Sequence, residues 1–287
     1  MSRTRFWLVL GLVALFATAF VAAGCGDDDD DDGGEETTEA TGGTEDLGTI
    51  NEGSLFIGVD TPYPPFEQGQ PPNVTGYDID VLNTIAENLG LEVEYQDTGF
   101  ATIFRDVAAG QFDTAAAAST IKPGREKVVD FTDPYYSSAT ALLVAEGSDV
   151  ASVDDLGGTI VGVQDGTVQE EFANNETDAG EVRAFPEGTT AISALLTGQV
   201  DAALIDEAVA ADAVEKQGGM EIVESIPGED LFGFAVAPEN DALREAMNEQ
   251  LAAMKEDGTL AELYSKTFGS EPPAEVLEGT NELLTND

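Results

Sequence analysis

The chain has 287 residues, with 11 lysines and arginines against 57 aspartates and glutamates, no histidine and one cysteine, for a net charge of −46. Such a polyanion repels nucleic acid and anionic lipid, and the missing histidine removes the commonest metal ligand and the commonest general base. A lone Cys25 excludes an internal disulfide and a cysteine zinc cluster, so no cofactor or metal is expected, and the length suffices for two lobes.

Arg3 and Arg5 form a basic start, Phe6–Phe20 an apolar stretch, and Ala22-Ala23-Gly24 leads into Cys25. The pattern resembles a lipoprotein signal, with residues 1–24 removed and Cys25 lipidated as the first mature residue. Ala22 departs from the larger aliphatic residue usual there. An uncleaved anchor is the alternative, since Phe6–Ala23 is just long enough to span a bilayer. Both place the remainder outside the cytoplasmic membrane. Residues 25–53 read as an acidic disordered tether, too poor in apolar side chains to offset its ordering entropy. Within it Asp28, Asp30, Asp32, Gly33 and Glu39 match a calcium-loop pattern literally. Glu35 stands where such a loop carries an apolar residue, and no amphipathic helix flanks it, so a solvated spacer is the better reading.

Ordered structure is expected from Ser54. Leu55–Val59 reads as a strand, ending in Asp60-Thr61-Pro62-Tyr63-Pro64-Pro65-Phe66-Glu67, a Pro-fixed turn at the strand end where open α/β sheets bind ligands. On residues alone Tyr63 serves equally as packing beneath that loop. A helix follows from Gly76, with Asp78 as its cap, Ile79, Leu82, Ile85, Ala86 and Leu89 on one stripe and Gly90 at its end. Leu91–Tyr95 alternates as a strand, and Phe100 precedes a helix over Ile103–Ala109. Thr114–Ala118 suits a strand buried on both faces. Beyond it, the Thr120 hydroxyl and the Arg125 fork make a carboxylate site, although an isolated loop of this kind would equally hold a surface arginine in an ion pair. Ala139–Ala145 is strand-like and leads out of the first lobe. Ser152–Gly158 is turn-rich, Ile160–Val163 is a strand, and Gln169–Ala173 is helical. Gly166-Thr167-Val168 at that strand-to-helix junction offers free backbone N–H groups at a positive dipole end, a second carboxylate site. Thr189–Thr197 is a helix and Val200–Ile205 a strand bracketed by Asp201 and Asp206, of which only Asp206 lies at the carboxyl end. Capping of the helix Glu207–Lys216 is the simple role for Asp206. Glu221–Ile226 and Phe232–Ala237 are strands, Asp241–Asp257 and Leu260–Phe268 helices, and residues 271–287 a polar, frayed tail.

The run Ser119-Thr120-Ile121 with Arg125, then Asp130-Phe131-Thr132-Asp133-Pro134-Tyr135-Tyr136, resembles the signature of the bacterial extracellular solute-binding proteins, family 3, which deliver polar amino acids to ABC importers. The likeness extends from about Leu55 to Gly269 and includes the Asp60…Tyr63-Pro64-Pro65-Phe66-Glu67 segment. It implies a two-lobed α/β periplasmic-binding-protein-like fold (type II) with two hinge crossovers, near Ala141–Glu146 and Glu229–Ala237, and a central cleft. Residues 54–143 and 231–270 would form lobe 1 and residues 144–230 lobe 2. The ligand carboxylate would meet Arg125, Thr120 and the N–H groups at Thr167 and Val168, with no hydroxyl at Val168 where the family has Thr or Ser. Its ammonium would meet Asp206 and the Ala118 carbonyl, Tyr63 and Phe100 would flank its side chain, and Asp60 and Gln164 would read the far end. The expected partners are a free amino acid and the membrane subunits of an ABC transporter, with no catalytic residues. Acidic ligands are disfavoured by Asp60, and Lys122 is read as lying on the solvent side. The alternative on the same fold is a periplasmic dehydratase of the cyclohexadienyl type, for which Asp60 or Glu67 would have to donate the proton.

Overall fold

The computed structural model describes residues 46–281. The signal, Cys25, the calcium-like pattern and residues 282–287 lie outside the described residues. The last part of the expected tether is docked: Asn240 Nδ2 donates to the Gly48 carbonyl at 3.1 Å, and the Ile50 N–H donates to Asp113 Oδ1 at 2.7 Å.

The first lobe starts with β1 (Ser54–Val59), the hairpin β2 (Gln68–Gln70) and β3 (Asn73–Thr75), and helix α1 (Tyr77–Leu89). Strand β4 (Glu92–Asp97), helix α2 (Phe100–Ala108) and strands β5 (Thr114–Ala116) and β6 (Asp130–Phe131) follow. The sheet order is β4-β1-β5-β12-β6, where β12 is Ala235–Val236 from late in the chain. β4 and β5 flank β1 in parallel, and β12 joins β5 and β6 antiparallel. The apolar stripe of α1 is buried as its spacing predicts, at Ile79, Leu82, Ile85 and Ala86. Each of the three larger side chains contributes about 1.5–3 kcal/mol by leaving water. Gly90 ends the helix in the left-handed region at φ 72°. Asp78 is not the cap. Gly76 holds that position at φ 132°, where a Cβ would run into the Phe66 carbonyl oxygen, and Asp78 turns inward.

The second lobe holds β7 (Tyr136–Ala145), β8 (Ile160–Gln164), α3 (Val168–Glu176), β9 (Glu181–Phe185), α4 (Gly188–Leu196), β10 (Ala202–Asp206), α5 (Glu207–Gln217) and β11 (Met220–Phe232). Its sheet order is β11-β7-β10-β8-β9, with β8 parallel to β9 and β10 and β7 antiparallel to β10 and β11. Both expected strands are present: β11 runs on past Ile226 to Phe232 through an irregularity at Pro227-Gly228, and the second, shortened to β12, returns to the first sheet. The first crossing moves, whereas the second falls within the expected Glu229–Ala237. The chain leaves the first sheet after Phe131 and enters the second at Tyr136, and it returns between Phe232 and Ala235. Ala141–Glu146 thus lies well inside the second lobe, because Tyr136–Ser138 already pair with β11.

Helices α6 (Asp241–Asp257) and α7 (Thr259–Phe268) pack back on α1. The tail is not frayed over its described part. Helix α8 (Ala274–Glu278) buries Val276 completely, and the Asn281 N–H donates to Asp133 Oδ1 at 2.8 Å. Among the described residues no helix is long and apolar enough to cross a membrane.

Candidate functional site

Parallel strands that end together bring their following residues together. Asp60 follows β1, Ala117–Thr120 follow β5, Gln164 closes β8 and Asp206 closes β10. These ends meet between the lobes around a small cavity, lined also by Tyr63, Phe100, Arg125, Thr167, Val168 and Gln169. All the side chains singled out from the sequence as ligand contacts line this one cavity. Gln169 and Ala117 join them unforeseen.

Arg125 is not a surface arginine. It is 7 % exposed, its guanidinium donates to the Thr120 carbonyl at 2.8 Å and to Gly166 O at 3.3 Å, and it lies over the rings of Phe100 and Phe104 at 5.0 and 4.6 Å. Among the described side chains no carboxylate pairs with it. Burial lowers its pKa to about 10, so it stays cationic at neutral pH and lacks a counter-ion within contact. Lys122 is not on the solvent side as read: its side chain is 20 % exposed and pairs with Glu171 Oε1 across the lobes at 2.7 Å.

Asp206 lines the same cavity. It caps α5 by position only, for its side chain makes no capping bond. Instead Oδ2 accepts from the Tyr63 hydroxyl at 2.6 Å, and Oδ1 accepts from the Ser138 hydroxyl at 2.8 Å and from Gln169 Nε2 at 3.1 Å. Burial raises its pKa to about 6, against the pull of those donors. Ser138 and Gln169 are missed by sequence reasoning. By sequence Ser138 belongs to the segment before the strand, and Gln169 to an ordinary helix start. The alternation Ser138, Thr140 along β7 was the available signal.

Asp60 is 6 % exposed and accepts from Gln164 Nε2 at 2.7 Å. Burial pushes its pKa up to about 7, opposed by Gln164 and the Phe100 N–H and reinforced by the negative charges of Asp97 and Glu187. Phe100 is the first residue of α2 rather than its predecessor. Thr167 caps α3, its hydroxyl donating to the Gln164 carbonyl at 2.7 Å and accepting from the Glu170 N–H at 3.2 Å, which leaves the first N–H groups of α3 rather than that hydroxyl for an anion. Ala118 has φ 42°, and its N–H donates to Asp78 Oδ2 at 3.0 Å. Gly188 opens α4 against Tyr63. A Cβ there would sit 2.6 Å from the ring, so this close approach requires glycine. Asp201 is exposed at the far end of β10 and accepts from the Ile160 N–H at 2.8 Å. Glu67 does not line the cavity. Among the described residues no group of carboxylates is arranged to hold a metal ion.

A cleft between two α/β lobes, lined at the strand ends by a buried arginine with no carboxylate in contact and by a buried aspartate, suits a small polar solute. The comparisons agree. Residues 55–270 match the family model of bacterial extracellular solute-binding proteins, family 3. The L-cystine-binding protein TcyJ of Escherichia coli is 31% identical over 234 residues, covering 79% of this chain and 88% of that one. The arginine-binding extracellular protein ArtP of Bacillus subtilis is 30% identical over 237 residues, covering 78% and 92%. Among solved structures, an ancestral arginine-binding protein bound to glutamine superposes with a TM-score of 0.72 at 36% identity, covering 77% of this chain and all of the other. The matched family and these relatives are binding proteins, and the chain belongs to the bacterial extracellular solute-binding proteins, family 3.

Proposed function

We propose that the cleft captures the zwitterion of a polar or basic L-amino acid and presents it to the membrane subunits of an ABC importer. The observation that carries this reading is the presence of opposite buried charges, Arg125 and Asp206, on the lining of one cavity. The α-carboxylate meets Arg125, Thr120 and the first N–H groups of α3 at Val168, and the α-ammonium meets Asp206 and the Ala118 carbonyl. Tyr63 and Phe100 flank the side chain, and Asp60 with Gln164 reads its end. A basic side chain suits that end best, since Asp97 and Glu187 add negative potential around Asp60. The matched relatives are described as binding cystine and arginine, which agrees with a polar or basic ligand.

Residues 1–24 act in this reading as a lipoprotein signal, and Cys25 anchors the mature chain by lipid outside the cytoplasmic membrane. Residues 26–45 are the acidic spacer. A thermal-shift screen of the common amino acids tests the ligand class: a ligand that binds only the folded chain raises the melting temperature, and the expected hits are basic or neutral polar, not acidic. Mass measurement of membrane-extracted protein tests the lipid at Cys25.

One observation favours a second reading. Asp60 has a pKa of about 7 inside the cleft, as a general acid for dehydration would need. Incubation with arogenate or prephenate separates the two, and the binding reading expects no turnover.

A further inference from the structure

Behind the cleft lining lie two carboxyl groups that the binding account does not use. Glu67, which closes the Pro-rich loop after β1, and Asp78, in the first turn of α1, are both 0 % exposed. Asp78 Oδ2 accepts from the Ala118 N–H at 3.0 Å and from the Tyr135 hydroxyl at 2.7 Å. Both oxygens of Glu67 and Oδ1 of Asp78 are buried and accept no hydrogen bond of ordinary geometry. Among the described residues no lysine or arginine pairs with either group. The other titratable groups facing them are Asp60, Tyr77 and Tyr135, none of which supplies positive charge.

Two ionised carboxylates in that position would be two buried charges without a counter-ion, and three orphaned acceptors besides. A single proton removes one of the two charges and joins two of the three orphaned oxygens. Carried by Glu67, it is donated to Asp78, which keeps its charge and its two other donors. Burial first, then the neighbouring Asp78, drives Glu67 well above the usual carboxylate range, and the hydrogen bond from Glu67 opposes the rise at Asp78.

Each member of the pair also reaches the cleft through the backbone. The Tyr63 N–H donates to the Glu67 carbonyl at 2.8 Å, and the Glu67 N–H donates to the Tyr63 carbonyl at 3.2 Å. Asp78 holds Ala118 in a left-handed conformation that a residue with a Cβ keeps only under restraint. We propose that Glu67 is a neutral carboxylic acid sharing its proton with Asp78, and that the pair is a positioning device fixing Tyr63 and Ala118 for the ligand. The ligand part rests on the amino-acid reading above; the proton part does not.

The test uses the purified chain and its Glu67→Gln, Glu67→Ala and Asp78→Ala variants. At about pH 8, where Asp60 and Asp206 are mostly ionised, the wild type should release about one more proton on unfolding than Glu67→Gln, and should show a carboxylic-acid infrared band that Glu67→Gln lacks. Equal proton release and no such band overturn the proposal. Positioning is read by exchange of the Ala118 amide and by calorimetric titration with L-arginine. Glu67→Gln, which keeps a neutral donor, should retain amide protection and affinity within about threefold, while Glu67→Ala and Asp78→Ala lose both, the affinity by about tenfold or more. If Asp78→Ala does not fold, the contrast between Gln and Ala at position 67 decides, and a Glu67→Ala chain with unchanged protection and affinity refutes the positioning role. A wild type that takes up no L-arginine counts against the amino-acid reading, while the proton count and the Ala118 amide still decide the pair.

Discussion

Asp206→Asn separates a ligand carboxylate from a structural one, because the two roles predict opposite changes. The carboxylate is 5 % exposed, and raising its pKa from 3.8 to about 6 corresponds to about 3 kcal/mol that ionisation costs the folded state, at about 1.4 kcal/mol per pH unit. That figure already includes the three hydrogen bonds it accepts. Asparagine removes the charge. The hydroxyls of Tyr63 and Ser138 and the reversible amide of Gln169 can repartner with its oxygen and its NH₂. The ligand-free variant should therefore melt no lower than wild type at about pH 8. Binding should suffer, since the ligand ammonium is left buried without its anion, a loss of about 2–4 kcal/mol or roughly 30- to 1,000-fold in Kd. Calorimetric titration with L-arginine and thermal melts of the same samples measure both. Asp201→Asn is the control, at an exposed strand start, and should bind as wild type. A variant at position 206 that binds within threefold of wild type, or an equal loss from Asp201→Asn, refutes the reasoning.

Arg125→Ala should cost about as much affinity, and the double variant with Asp206→Asn should lose less than the sum, because either change alone opens the same closed cleft; additive losses would contradict a shared ligand. Both Asp60 and Asp206 have raised pKa values in the folded chain, so the stability they contribute is full below about pH 4 and is lost as pH rises through about 6 to 7. Affinity for arginine runs the other way, rising at least about tenfold from pH 5 to pH 8 as protons stop competing, and titrations in buffers of different ionisation enthalpy should show proton release on binding; a flat profile would sink this. Gly188→Ala places a Cβ 2.6 Å from the Tyr63 ring and 3.0 Å from Ile205, so closure should weaken by about 1–3 kcal/mol in binding while each lobe keeps its fold by circular dichroism. With a net charge of −46, the melting temperature should rise between low and molar salt, and an unchanged value would show that self-repulsion is not significant.

The cleft was legible because apolar runs stop abruptly at polar residues. Leu55–Val59 stops at Asp60, Thr114–Ala118 at Ser119, and Val200–Ile205 at Asp206, the first two at the end of one sheet and the third at the end of the other. The second crossing, within Glu229–Ala237, was legible and the first was not. Tyr136-Ser137-Ser138 looks like a loop after Pro134, and only pairing with the distant Leu231 and Phe232 makes it strand. Pro227-Gly228 likewise reads as a turn, although a strand edge absorbs it as an irregularity. Asp78 reads as a cap because an acid near a helix start has the same local pattern whether it faces water or, as here, a buried glutamate and tyrosine. The tail was misread for a related reason: one buried Val276 carries little sequence signal, and its dock exists only after the fold has formed.

The central claim is that one ligand carries both a carboxylate for Arg125 and an ammonium for Asp206. Calorimetric titration of the wild-type chain with L-arginine, agmatine and Nα-acetyl-L-arginine tests it directly, since agmatine lacks the carboxylate and the acetyl derivative lacks the ammonium. The account predicts one-to-one binding of arginine, with each analogue weaker by about 30-fold or more. Binding of either analogue as tight as that of arginine would contradict it.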